Sequence, residues 1–118
     1  ACPDRQVICL HGDGSFGING MELDTAVRHQ IPVITVISLN GGWMSDPKRA
    51  WVGRDLGFSR YDKMAEALGC YAEYVEQPQD IRPALERASA ATRKNAPAVI
   101  NVKTDPNAKA TTARFVTY

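Results

Sequence analysis

Two short stretches carry residues able to do chemistry: Gly12-Asp13-Gly14-Ser15-Phe16-Gly17, and Asn40-Gly41-Gly42-Trp43. Each follows an apolar run. The first satisfies the G-x-G-x-x-G spacing by which a glycine-rich turn brings backbone amides up to a pyrophosphate. Two residues oppose a plain dinucleotide reading. Asp13 would press a carboxylate against phosphate, which makes sense only with a cation between them. The second strand should also end in Asp or Glu to hold a ribose hydroxyl, yet it ends Ser38-Leu39-Asn40. A carboxylate and a neutral amide oxygen are instead ligands for a hard cation. Mg²⁺ takes about six oxygens and commonly shares them with phosphates. Asp13, the Asn40 side-chain oxygen and the Gly42 carbonyl would supply three, leaving diphosphate oxygens and water to complete the shell. The small Gly41 and Gly42 would let the backbone bend back onto the metal, and the Gly14 and Ser15 amides would meet the remaining negative charge. A Rossmann-type nucleotide-binding module stays open as the alternative.

For these residues to converge, the strands before them must lie side by side and end at one edge of a sheet. Gln6–Leu10 reads as a strand and Asn19–Gln30 as a helix, with Leu23, Ala26 and Val27 on its buried face. Glu22 and Asp24 early and Arg28 and His29 late suit the helix dipole. Pro32–Leu39 is apolar on both faces, as a covered parallel strand requires. A second helix is expected over Arg60–Leu68, with Ser59 and Asp62 at capping-box spacing and Gly69 as terminator. Cys70–Val75 reads as a strand nearer the sheet edge. A third helix spans Ile81–Lys94, with Asp80 as N-cap and Pro83 in the first turn, and Ala98–Lys103 supplies the last strand. The alternation predicts an α/β fold, an open mainly parallel sheet with helices on both faces. Residues 40–59 form a long loop, the kind usually functional or mobile, and residues 104–118 a tail.

Gly-Asp-Gly at 12–14, 25 intervening residues (15–39) and then Asn40 resemble the thiamine-diphosphate fingerprint. The wider stretch GDGSFGINGMELDTAVRHQIPVITVISLNGGW looks like the C-terminal cofactor-binding domain of acetolactate synthase-type enzymes, with 2-hydroxyacyl-CoA lyases and oxalyl-CoA decarboxylases as relatives. The likeness covers about Val7 to Val102, most diagnostically residues 12–43. One departure is Gly41, where the family often has a second Asn. The resemblance implies thiamine diphosphate and Mg²⁺ as cofactors, with Asp13, Asn40 and Gly42 on the metal and Gly12, Gly14, Ser15 and Trp43 near the cofactor. It implies a pyrimidine-binding partner domain, from the same or a neighbouring subunit, that contributes an activating glutamate. No residue here is assigned that role, so no catalytic residue is expected in the chain and the chain alone is expected to be inactive. A homodimer or homotetramer is expected of the full-length enzyme. The fold implied is the thiamine-diphosphate-binding fold without the glycine-rich helix that normally precedes its first strand, which should leave an apolar patch.

The remaining features bound these expectations. The 118 residues suit one domain, read as a fragment of a larger enzyme, and 44% hydrophobic with 23% charged residues argues against disorder. A net charge of +1 gives no broad footprint for nucleic acid, and no apolar run approaches a membrane span. Cys2, Cys9 and Cys70 are odd in number and form no CxxC pair, so plain thiols in a reducing, cytoplasmic compartment are expected. His11 is either structural, substrate-lining or a proton-transfer group. Trp43 and Met44 are pocket wall or ordinary packing. Ser38 lacks a His–acid pair that would make it a nucleophile. Lys48, Arg49 and Arg54 form a local basic patch, a solvated face or a CoA or carboxylate contact.

Overall fold

The computed structural model describes residues 5–43 and 52–108. Eight elements follow in order: β1 (Val7–Gly12), α1 (Asp13–Asn19), α2 (Glu22–Arg28), β2 (Val33–Leu39), α3 (Tyr61–Ala67), β3 (Tyr71–Val75), α4 (Pro78–Thr92) and β4 (Ala98–Lys103). The strands form one parallel sheet in the order β1-β2-β4-β3, which puts β3 on an edge as its weak alternation suggests. Alternate strand residues feed two cores. Ile34, Ile100 and Val102 pack with Ala84 and Ala88 of α4 on one face. Ile37 and Val99 pack with Phe16, Leu23 and Ala65 of α1, α2 and α3 on the other. The opposite placement of α4 follows from topology. The chain advances from β1 to β2 to β3 and then steps back to β4, and a right-handed crossover in the reverse direction must use the other face.

Helix starts depart from expectation in three places. The segment after β1 is helical from Asp13, and the expected 19–30 helix is two shorter helices joined at Gly20 and Met21. Gly12 is the extended N-cap (φ −79°, ψ 161°), so the glycines that follow serve close packing and not a loop. At α3 the Ser59–Asp62 capping box does not form. Arg60 is the N-cap, and the Asp62 carboxylate is drawn to the Arg60 guanidinium and the Asn101 amide. At α4 the start is Pro78 at N1, where a missing N–H costs nothing, and not Asp80. Pro83 therefore lies in the helix interior and leaves the Gln79 carbonyl without its i+4 donor. Gly69 does end α3 with φ +98°, and Cys70 N–H donates to the Ala65 carbonyl at 2.9 Å.

Strand β1 is the other edge, and Ile8 and Leu10 on it are 57% and 73% exposed. Among the described residues no helix is long and apolar enough to cross a membrane. Cys2, Met44, Lys48 and Arg49, the middle of the 40–59 loop and the 109–118 part of the tail lie outside the described residues.

Candidate metal and diphosphate site

Register fixes where the two motifs meet. Strands β1 and β2 pair from Val7↔Val33 to Gly12↔Ser38, so Asp13 and Asn40 leave adjacent strands at the same edge of the sheet. Asp13 is 1% exposed. Its Oδ2 accepts the Gly41 N–H at 2.7 Å and its Oδ1 accepts the Gly14 N–H at 2.9 Å. Asn40 Oδ1 accepts the Gly42 N–H at 3.3 Å, bending the chain back at the strand end. Asp13 and the Asn40–Gly42 turn are thus brought together. The Gly14 amide, expected to face a diphosphate, donates to Asp13 instead. Ser15 is exposed, and its Oγ donates to the Gly12 carbonyl at 3.0 Å.

Part of the long loop returns over this turn. Trp43 N–H donates to the Arg54 carbonyl at 2.9 Å, and the Leu56 and Gly57 N–H groups donate to the Gly41 carbonyl at 2.9 and 3.2 Å. Gly42 faces Asp55 in an isolated antiparallel bridge whose bonds belong to its neighbours, so the bridge does not use the Gly42 carbonyl. Gly41 has φ +82°, a conformation open to glycine and tolerated by asparagine. The departure from a doubled Asn is therefore a change between the two residues that suit this backbone. A cavity of about 210 Å³ lies behind the turn, lined by Asn40, Gly41, Gly42, Arg54, Asp55 and Phe58 with Pro106.

The Trp43 ring covers Gly14 so closely that a Cβ there would lie 2.7 Å from the indole. Packing against the helix start is therefore one of its roles, and the residue as a whole stays 41% exposed. His11 does not stand alone: its Nε2 is 2.9 Å from Cys9 Sγ and its ring meets Phe16 edge-on at 6.2 Å. Ser38 Oγ lies 3.3 Å from Thr104 Oγ1, with no acid–base pair beside it among its described contacts.

The donor chemistry suits a hard cation. Asp13 is a buried carboxylate bonded by backbone amides and by no cationic side chain among the described residues, and a buried charge of that kind calls for a counter-charge. Among the described residues no three His, Cys, Asp or Glu side chains cluster as a metal site, so any metal beside Asp13 would need amide or carbonyl oxygens as well as this one carboxylate.

Spacing alone missed one cluster. Asp62, buried at the start of α3, accepts both arms of the Arg60 guanidinium at 2.9 and 2.7 Å and the Asn101 amide at 3.3 Å. Burial alone would raise the Asp62 pKa, but these bonds hold it below the ordinary value. The available signal was Asn101 itself, a lone amide in the apolar strand Ala98–Lys103.

Comparison with known proteins adds the following. Residues 1–102 match the family described as thiamine pyrophosphate enzyme, C-terminal TPP binding domain. The chain is 46% identical over 114 residues to a probable acetolactate synthase of Mycobacterium bovis, covering 91% of this chain and 20% of that protein. It is 35% identical over 128 residues to a 2-hydroxyacyl-CoA lyase of Oryza sativa, covering 96% and 21%. A solved thiamine diphosphate-dependent 4-hydroxybenzoylformate decarboxylase of Rhodococcus jostii superposes with TM-score 0.75 at 31% identity, over 87% of this chain and 20% of that one. The chain spans about a fifth of the length of the relatives it matches.

Proposed function

The chain belongs to the thiamine pyrophosphate enzyme C-terminal TPP-binding domains, and from that premise we propose that it is the diphosphate- and Mg²⁺-holding part of an acetolactate synthase-like enzyme. That enzyme would decarboxylate and join 2-oxo acids. The observation that carries the reading is the buried Asp13 carboxylate held against the Asn40–Gly42 turn by the 2.7 Å bond from Gly41. Thiamine diphosphate, when bound, supplies the electron sink for breaking and making C–C bonds. Asp13 would be the only anionic protein ligand of Mg²⁺, Asn40 a neutral one, and the Gly42 carbonyl the third. Gly12, Gly14 and Ser15 would border the diphosphate, and Trp43 would wall the cofactor. The activating glutamate would come from a pyrimidine-binding domain of the same or a neighbouring subunit, in a homo-oligomer. The 35% identity to a 2-hydroxyacyl-CoA lyase supports a second reading, cleavage of 2-hydroxyacyl-CoA substrates by the same cofactor.

The test uses the full-length enzyme. Thiamine diphosphate binding, followed by calorimetry, is expected to vanish with chelator and in Asp13→Ala, and to weaken less in Asn40→Ala because water can replace a neutral ligand. Metal-independent NAD binding with no thiamine diphosphate binding would overturn this reading. The 118-residue chain alone is expected to show no turnover with pyruvate or a 2-hydroxyacyl-CoA, even with saturating cofactor. A missing acid–base group costs about 10²–10⁴-fold, and lost cofactor orientation adds to that.

A further inference from the structure

We propose that Asn101 is a positioning residue for the metal-binding turn, acting through its bond to Ser59 and the segment from Arg54 to Ser59; this rests on the site reading above. Asn101 sits in the middle of β4, paired with Ile37 of β2 and Tyr74 of β3, and is fully buried. Its neighbours in the strand are Ile100 and Val102, and an aliphatic side chain would suit the site by burial alone. Its Nδ2 donates to the Ser59 carbonyl at 3.0 Å and to Asp62 Oδ1 at 3.3 Å. Its Oδ1 has no partner among the described residues. The reversed amide would aim an oxygen at two acceptors, so the donor must face Ser59 and Asp62. The fold thus tolerates an unsatisfied buried acceptor to keep two donor bonds in place.

Those bonds end on the return segment of the long loop. Ser59 lies just beyond Leu56 and Gly57, whose N–H groups hold the Gly41 carbonyl. Phe58 between them packs at Gly41, where a Cβ would be 3.4 Å from its ring. The Gly41 N–H in turn holds Asp13 at 2.7 Å. One connected path therefore runs from the rigid centre of β4 to the candidate metal carboxylate. Support of α3 alone would need only the bond to Asp62, which the Arg60 fork already fixes while lying 4.5 Å over the Tyr74 ring. The bond to the Ser59 carbonyl, outside the helix, is the one that ties down the loop.

The experiment compares Asn101→Leu, Asn101→Ser, Asp62→Asn and Ala88→Gly in the full-length enzyme. Ala88 is buried on the opposite face of the sheet and controls for lost stability. Two readouts are taken: amide hydrogen exchange of residues 41–43 and 54–58 in the cofactor-free protein, and calorimetric Mg²⁺ affinity at saturating thiamine diphosphate. Asn101→Leu should speed exchange in both segments and weaken Mg²⁺ by about 5–10-fold, the factor set by about one lost hydrogen bond. Asn101→Ser, which keeps a donor, should fall between Leu and wild type and serves if Leu does not fold. Asp62→Asn and Ala88→Gly should lower the melting temperature with Mg²⁺ affinity within twofold. The proposal is overturned if the Asn101 variants lower the melting temperature as Ala88→Gly does, with exchange at 41–43 and Mg²⁺ affinity unchanged. Full Mg²⁺ dependence persisting in Asp13→Ala would overturn the site reading, and this inference with it, whereas loss in Asp13→Ala with no effect at Asn101 overturns the inference only.

Discussion

Gly14→Ala sets two effects of known size against each other. Gly14 is in the first turn of α1, and alanine there gains at most about 1 kcal/mol of helix propensity. The new methyl would sit 2.7 Å from two indole carbons of Trp43 and 2.9 Å from a third, well inside the ~3.5–4.0 Å of a relaxed carbon contact. Overpacking of this kind costs about 1–3 kcal/mol. Trp43 is 41% exposed and so can swing away, which places the cost toward the lower end. The balance is a destabilisation of about 0–2 kcal/mol, or a fall of up to roughly 8 °C in melting temperature for a domain this size. The ring must leave Gly14 in either case, so Trp43 emission should shift to the red, read in a Trp51→Phe background of the 118-residue chain. Thiamine diphosphate affinity of the full-length variant should fall, because the wall beside the diphosphate has moved. A Gly14→Ala chain about 1 kcal/mol more stable, with unshifted emission, would show that Trp43 does not pack on Gly14 and that propensity alone governs the position.

At Gly41, φ +82° makes alanine strained by about 1–2 kcal/mol and asparagine less so, so Mg²⁺ affinity should order wild type ≥ Gly41→Asn > Gly41→Ala in a calorimetric titration. The bidentate bonds from Arg87 hold Glu73 below its usual 4.5 against the opposing push of burial, and the bonds to Asp62 hold it below 3.8. Depressed carboxylates stabilise the fold above their unfolded pKa and lose that contribution as pH falls through the folded one. Melting temperature should therefore be level above about pH 5 and drop toward pH 3, and Glu73→Gln should remove the upper part of the drop. Burial pushes the Cys70 thiol up to about 11, so at pH 8 iodoacetamide should label it at least roughly 10²-fold more slowly than an exposed thiol, by peptide mass spectrometry of the native protein.

The sheet was legible because periodicity reports burial directly. Val33–Leu39 is apolar at nearly every position, and only a strand covered on both sides needs that. Helix starts were less legible, for reasons visible at each one. Spacing proposed Ser59 and Asp62 as a capping box, but a carboxylate goes to the strongest donors within reach, and those were Arg60 two residues earlier and Asn101 on a distant strand. Asp80 suited an N-cap locally, yet Pro78 begins the helix two residues before it and leaves Pro83 inside. The glycines at 14 and 17 suggested a loop because intrinsic propensity disfavours them in helices. What overrides that preference at 14 is a tryptophan 29 residues away in sequence, a contact that no local window contains.

The site divides along the same line. Residue types at 13 and 40 pointed to a hard cation because a carboxylate and an amide oxygen beside phosphate are both hard oxygen ligands, and the parallel register brings them to the same edge of the sheet. The bonds holding them there come mostly from backbone groups, the N–H groups of Gly14, Gly41, Leu56 and Gly57, which have no side-chain signature to read. Such a turn can be specified only by what excludes other backbones: φ +82° at Gly41, and an Arg54 carbonyl that would lie 2.6 Å from any Cβ at Gly42. The second constraint is the stricter, since a carbonyl on the bridging strand cannot rotate away as a side chain can. Gly42→Ala should therefore open the bridge to Asp55 and weaken Mg²⁺ more than Gly41→Ala does, although Gly42 has an ordinary φ. The opposite order in the same titration would mean that backbone conformation, and not the clasp of residues 54–57, shapes the metal-binding turn.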